Sequence, residues 1–213
     1  MSELLDIYLS NKERFDEKLQ AFALVWQNGS DTEIFGELCY CLCTPREKAR
    51  NALDAVLRLR KENLLTRGTS DEIKPVLKES GIALYPQKAE NIIKNRGLFF
   101  PHTRQKITDQ FLCYDDIFRS RKELAYSVSG IGFKEASHFL RNIGFGGRTC
   151  ILDTHIINQL VQNGLLPKKP KSLTEKKYLE IEQTMIQFAA QEHIPVDVLD
   201  MVFMFKENPN ITK

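Results

Sequence analysis

Apolar residues recur along most of this chain at every third or fourth position, and runs that alternate apolar with polar are scarce, so the pattern predicts helices almost throughout. The rhythm covers residues 4–27, 32–43, 46–61, 70–80, 86–95, 104–113, 119–127, 133–143, 154–163, 174–191 and 196–206. Between these segments stand Gly29-Ser30, Gly68-Thr69, Gly81, Gly97, Pro101, Gly146-Gly147 and Pro167-Lys168-Lys169-Pro170, residues that interrupt helices. The expected fold class is all-α, with no internal repeat and no low-complexity tract.

One turn differs from the others. Ser129-Gly130-Ile131-Gly132 places two glycines around a single apolar residue, directly between two predicted helices. Glycine permits positive φ and lets a ligand's backbone come close. The peptide N–H groups of such a turn, with those opening the next helix, suit one phosphate oxygen. After the turn, Phe133, Ala136, Leu140 and Ile143 form a core stripe, and Gly144 sits where a helix usually stops. Lys134, His138 and Arg141 share a different stripe, one placed to face a phosphodiester backbone.

Lys134 has two readings. A lysine after Gly-Ile-Gly grips phosphate as a point charge, and proteins without enzymatic activity use such turns in that way. A cation in the first turn of a helix also opposes the helix dipole, which favours the neutral amine that nucleophilic attack requires. Further on, Asp153 precedes the apolar stripe Ile156, Ile157, Leu160 and Val161, so it falls at a helix N-cap. Capping is worth about 1 kcal/mol and is the whole role of most such aspartates. A cap is nevertheless a carboxylate with a pinned backbone, which suits a catalytic group.

Composition narrows the setting. A chain of 213 residues with 42% hydrophobic content suits a globular protein. No apolar run approaches the ~20 residues that cross a bilayer, and the opening Met1-Ser2-Glu3-Leu4-Leu5-Asp6 has no basic region followed by an apolar core. A membrane partner is therefore not expected, and the expected location is the cytoplasm, at the nucleoid of a prokaryote. Cys39, Cys41, Cys43, Cys113 and Cys150 are odd in number and lack paired spacing, so reduced thiols are expected, with neither disulfides nor a metal site. Net charge is only +2, so any nucleic-acid site must be a patch. Residues 86–148, which include the hairpin, hold 11 Lys and Arg against 6 Asp and Glu.

Gly130-Ile131-Gly132-Phe133-Lys134, then Gly144-Phe145-Gly146-Gly147, then Asp153-Thr154-His155 resemble in order and spacing the signature of the helix-hairpin-helix DNA glycosylase superfamily. The chain length, the segment 35–49, and the tail from Val196-Asp197-Val198-Leu199-Asp200 to Lys213 are similar to the archaeal-type 8-oxoguanine DNA glycosylase/AP lyase family. An endonuclease III-like relative would carry four cysteines after the aspartate for an iron-sulfur cluster, and this chain has none after Cys150. An adenine glycosylase of the superfamily typically lacks the lysine.

The resemblance implies a two-lobed all-α fold with a cleft, one lobe being residues 30–143 and the other residues 1–29 plus 144–213. It implies Lys134 as nucleophile, Asp153 as its carboxylate partner, and Gly130, Gly132 and His155 as DNA contacts. Arg46 or Pro45 is expected to fill the stack vacated by a flipped base, and Lys213 to contribute to the lesion pocket. The tail aromatic that stacks on the base is not a tryptophan here, which leaves Phe203 or Phe205. No organic cofactor is implied; a monovalent cation at the hairpin carbonyls is compatible with the fold. The expected partner is duplex DNA containing an oxidised purine, bound by a monomer. Two alternatives stay open: a DNA-binding protein without enzymatic activity, and a lyase for oxidised pyrimidines.

Overall fold

The structure is a computed structural model that describes residues 2–208, and the described residues contain helices and turns but no strand. Helices α1 (Glu3–Ser10), α2 (Lys12–Asn28), α3 (Asp31–Cys43) and α4 (Ala49–Lys61) are followed by the short α5 (Leu64–Arg67). Next come α6 (Ser70–Glu79), α7 (Tyr85–Phe99), α8 (Thr103–Gln110), α9 (Ile117–Ser127) and α10 (Phe133–Asn142). The described residues finish with α11 (Thr154–Gln162), α12 (Glu175–Gln191) and α13 (Val196–Glu207).

The first predicted helix is broken in two at Asn11. Its side-chain amide donates to the Ile7 carbonyl at 2.9 Å, offering the backbone a local partner that competes with helix continuation. α4 starts three residues later than the apolar rhythm indicates, because Arg46 adopts a left-handed conformation with φ of 65°. α7 continues through the exposed Gly97 to Phe99 and ends where Pro101 forces Phe100 into extended backbone. α5 escapes the periodicity altogether, since four residues make barely one turn.

Two hydrophobic clusters organise these helices. The first surrounds α3, whose residues Ile34, Phe35, Leu38, Cys39, Cys41, Leu42 and Cys43 are all buried, as expected of a helix apolar on every side. α4, α7, α8 and α10 pack around it. A capping box starts α3: the Glu33 N–H donates to Ser30 Oγ and the Ser30 N–H to Glu33 Oε2 at 2.9 Å. The second cluster joins Leu4, Tyr8 and Phe15 near the start of the chain to residues of α11, α12 and α13. α2 belongs to both, with Phe15 in the second cluster and Trp26 packed against the first.

α10 is where the clusters meet. Ala136, Phe139, Leu140 and Ile143 enter the first cluster, while Phe133 packs against the second. Beside it, Arg121 of α9 makes a paired contact with Glu182 of α12, Nη2 to Oε2 at 2.8 Å, and both side chains are fully buried. The guanidinium lies among the rings of Phe118, Phe133 and Tyr178, 5.0–5.4 Å from their centroids. Glu182 Oε1 also accepts the Cys150 N–H at 2.8 Å. The Tyr178 hydroxyl donates to the Cys150 carbonyl at 2.6 Å and accepts the Leu152 N–H at 3.3 Å. This network fixes the segment that leads into α11.

Candidate active site at the head of α10

The hairpin is held from α7. Asn95, almost completely buried, donates to the Ser129 carbonyl at 2.8 Å and accepts the Ser129 N–H at 3.0 Å. Gly130 has φ of 85°, a conformation that favours glycine, and a Cβ there would stand 2.1 Å from Asn91 Nδ2, so the Asn91 amide would have to move aside. The Gly132 N–H does not stay available for phosphate, as the bare turn would predict: it donates to Glu135 Oε2 at 3.1 Å. The Ser129 carbonyl already has Asn95 as a donor, so a cation at the hairpin would have to share that oxygen.

From this turn Lys134 reaches a cleft of about 1080 Å³ that is lined from both clusters. Its Nζ lies 3.3 Å from Glu135 Oε1, with four-fifths of the side chain buried. Glu135 thus touches both the hairpin backbone and the lysine, a pairing missed in the sequence, although an acidic residue three places after a helix cap is a recognisable signal. Asp153 lines the same cleft and caps α11, its Oδ1 accepting the Ile156 N–H at 2.9 Å. The amine and the carboxylate singled out from sequence therefore open into one cavity.

Other expected site residues divide. Pro45 and the exposed Arg46 line the cleft at the turn before α4. His155 lines it too, 65% exposed, with Nδ1 3.3 Å from Glu207 Oε2. Phe205 lines the cleft, its ring edge-on to Phe15 at 5.9 Å and beneath the Arg14 guanidinium at 5.2 Å. Phe203 does not: it is fully buried in the second cluster, stacked on Phe188 at 6.3 Å. Two helical positions differ by about 200° of rotation, so when one of these rings faces the cleft the other faces the core. Lys213 lies outside the described residues.

The stripe of Lys134, His138 and Arg141 also needs correction beyond its first member. His138 is buried, edge-on to Tyr40 at 5.4 Å, and Arg141 is buried in an ion pair with Asp200 while lying 5.4 Å from the Phe22 ring. Both line the cleft floor, not an outer surface. Burial raises the Asp200 carboxyl above the usual range, against the pull of Arg141. Phe22, Lys18 and Arg14 of α2 complete one wall and were not legible, since their helix reads simply as amphipathic. Burial, with Arg14 and Arg141 nearby, lowers the Lys18 ammonium. Among the described residues no cluster of three or more His, Cys, Asp or Glu is arranged to hold a metal ion, and no helix is long and apolar enough to cross a membrane.

A glycine hairpin delivering a lysine into a cleft between two helical lobes defines a helix-hairpin-helix DNA glycosylase fold, and solved structures share it over nearly the whole chain. The 8-oxoguanine DNA glycosylase of Thermotoga maritima superposes with a TM-score of 0.87 at 27% identity, covering 99% of this chain and 97% of that one. The Methanocaldococcus jannaschii 8-oxoguanine glycosylase/lyase, solved in complex with a 15mer DNA containing 8-oxoguanine, gives 0.84 at 28% identity and full coverage of both chains. In sequence, an 8-oxoguanine DNA glycosylase/AP lyase from Fusobacterium nucleatum is 34% identical over 206 residues, 97% of this chain and 94% of the relative. The 8-oxoguanine DNA glycosylase family matches residues 15–194, and the chain belongs to that family.

Proposed function

We propose that this protein excises 8-oxoguanine from duplex DNA and then nicks the strand 3′ to the resulting abasic site. The observation that carries the reading is the presence of Lys134 and Asp153 in one cleft behind a glycine hairpin, in a chain whose relatives bear the name 8-oxoguanine DNA glycosylase/AP lyase. The hairpin grips the DNA backbone, the modified purine leaves the stack for the cleft, and Arg46 or Pro45 occupies the space behind it. Phe205, the tail ring that lines the cleft, stacks on the extruded base.

As the bond from C1′ to the base weakens, the sugar gains positive charge that the Asp153 carboxylate stabilises. The lone pair of neutral Lys134 Nζ forms a bond to C1′, and the bonding electrons leave with the base, which takes up a proton. Opening of the sugar ring gives a Schiff base. Loss of a proton from C2′ then expels the 3′ phosphate by β-elimination. Glu135, in contact with Lys134, is placed to receive the lysine's proton. No organic cofactor enters these steps, and a monovalent cation at the hairpin would serve phosphate binding alone. Among the described residues a single chain brings Lys134, Asp153 and Phe205 to the cleft, which supports action as a monomer, and the free thiols of all five cysteines fit the reducing cytoplasm.

Borohydride reduction in the presence of an 8-oxoguanine duplex tests the reading. A covalent adduct is expected with the natural protein and none with Lys134→Gln, which should retain duplex binding within about tenfold because it removes one charge among several. Binding without any adduct would identify a DNA-binding protein that lacks the chemistry, and adducts on thymine glycol duplexes alone would move the substrate to oxidised pyrimidines.

A further inference from the structure

The turn that presents Pro45 and Arg46 is under strain, and the strain is held from α7. The Glu47 N–H donates to the Thr44 carbonyl at 3.0 Å, closing a turn with Pro45 in second place and Arg46 in third. The third position has φ of 65°, a conformation that ordinarily selects glycine or asparagine. A non-glycine residue stays there only when its surroundings over-determine it. Here the constraints lie on both sides of Arg46. Before it, the ammonium of the buried Lys88 donates to the carbonyls of Cys43 at 2.9 Å and Pro45 at 3.0 Å, at the negative end of α3. After it, Glu47 accepts the Ala83 N–H and lies 3.7 Å from the same ammonium.

Lys88, Asn91 and Asn95 stand at i, i+3 and i+7 and share one stripe of α7. Lys88 holds the strained turn; Asn95 holds Ser129, and Asn91 stands against Gly130. We propose that Lys88 is a positioning residue: it locks the Thr44–Glu47 turn onto the helix that locks the hairpin, so that Arg46 meets the duplex at a fixed distance from the phosphate grip. The inference rests on the stack-filling role given above to Arg46 or Pro45, and commits that role to Arg46.

A duplex with 2-aminopurine opposite a tetrahydrofuran abasic analogue reports whether the gap is filled, and it needs neither the lesion nor catalysis. At saturating protein, Arg46→Ala, Lys88→Met and Glu47→Ala are each expected to reduce the fluorescence change at least twofold. Lys88→Met combined with Arg46→Ala should reduce it no further than Arg46→Ala alone. Lys88→Met and Glu47→Ala alter the cleft's charge in opposite directions, so a shared loss reports position and opposite effects would overturn the proposal. Full amplitude in Lys88→Met or in Arg46→Ala, or an additive double variant, would also overturn it. Lys88→Met should keep borohydride trapping on a true abasic duplex within threefold of the natural protein, and an equal loss there would mean that the residue merely supports the fold. Thermal melts accompany each variant, and if Lys88→Met does not fold, Glu47→Ala carries the test from the other end of the turn. Failure of the natural protein to release 8-oxoguanine would refute the proposed function separately, since the fluorescence signal involves no 8-oxoguanine.

Discussion

Replacing Glu182 by alanine should expose how much the molecule depends on the buried Arg121–Glu182 ion pair. Arg121 and Glu182 are both fully buried, and Glu182 also satisfies the Cys150 N–H. Removing the carboxylate strands a guanidinium among three aromatic rings and leaves that N–H unpaired. Breaking one side of a buried pair costs about 3–5 kcal/mol. At about 2–4 °C per kcal/mol for a chain of this length, the melting temperature should fall by roughly 6–20 °C. Arg121→Met together with Glu182→Met removes both charges and fills the space with apolar atoms, so it should recover about 1–3 kcal/mol relative to Glu182→Ala. Urea unfolding at 25 °C, followed by circular dichroism, measures each value. A loss below about 1 kcal/mol in the single variant, or a double variant as unstable as the sum of the two single replacements, would refute the reasoning.

Asp153→Asn should separate capping from chemistry: asparagine caps as well as aspartate, so melting should change by less than about 0.5 kcal/mol, while single-turnover base release falls by about 10²–10³-fold. Phe203→Ala should destabilise the protein by about 3–5 kcal/mol, whereas Phe205→Ala should lose less stability and more excision activity, which melts and rate assays on the two variants will compare. Iodoacetamide at pH 8 should label the native protein once, at the half-buried Cys113; burial pushes the Cys43 thiol up to about 12 and raises Cys39 and Cys150 as well, and peptide mass mapping that finds adducts at those positions would contradict the packing.

Local signals carried the sequence reading a long way. The 3.6-residue rhythm marks most helices to within a few residues, and Gly130, Gly132, Lys134 and Asp153 stand out because their chemistry depends on short spacings. What stayed hidden depends on pairs far apart in sequence. Arg141 reads as a surface cation until Asp200, far along the chain, arrives to neutralise it in the cleft floor. Phe203 and Phe205 are equivalent as letters and become distinct only when the rotation of α13 against the second cluster is known. Lys88 looks like one more charge on an amphipathic helix, and only the folded chain reveals that its ammonium ends in the carbonyls of a turn 43 and 45 residues away.

The second cluster draws Leu4, Tyr8 and Phe15 together with side chains as late as Phe203, and α1 lies directly on α13. During synthesis α1 therefore has to wait for this packing partner until α13 has been made. The cluster around α3, which extends to Ile143, can form before that moment, but the cleft wall that carries Asp200, Met204 and Phe205 cannot. The cavity into which Lys134 and Asp153 open is therefore complete only once α2 and α13 have met.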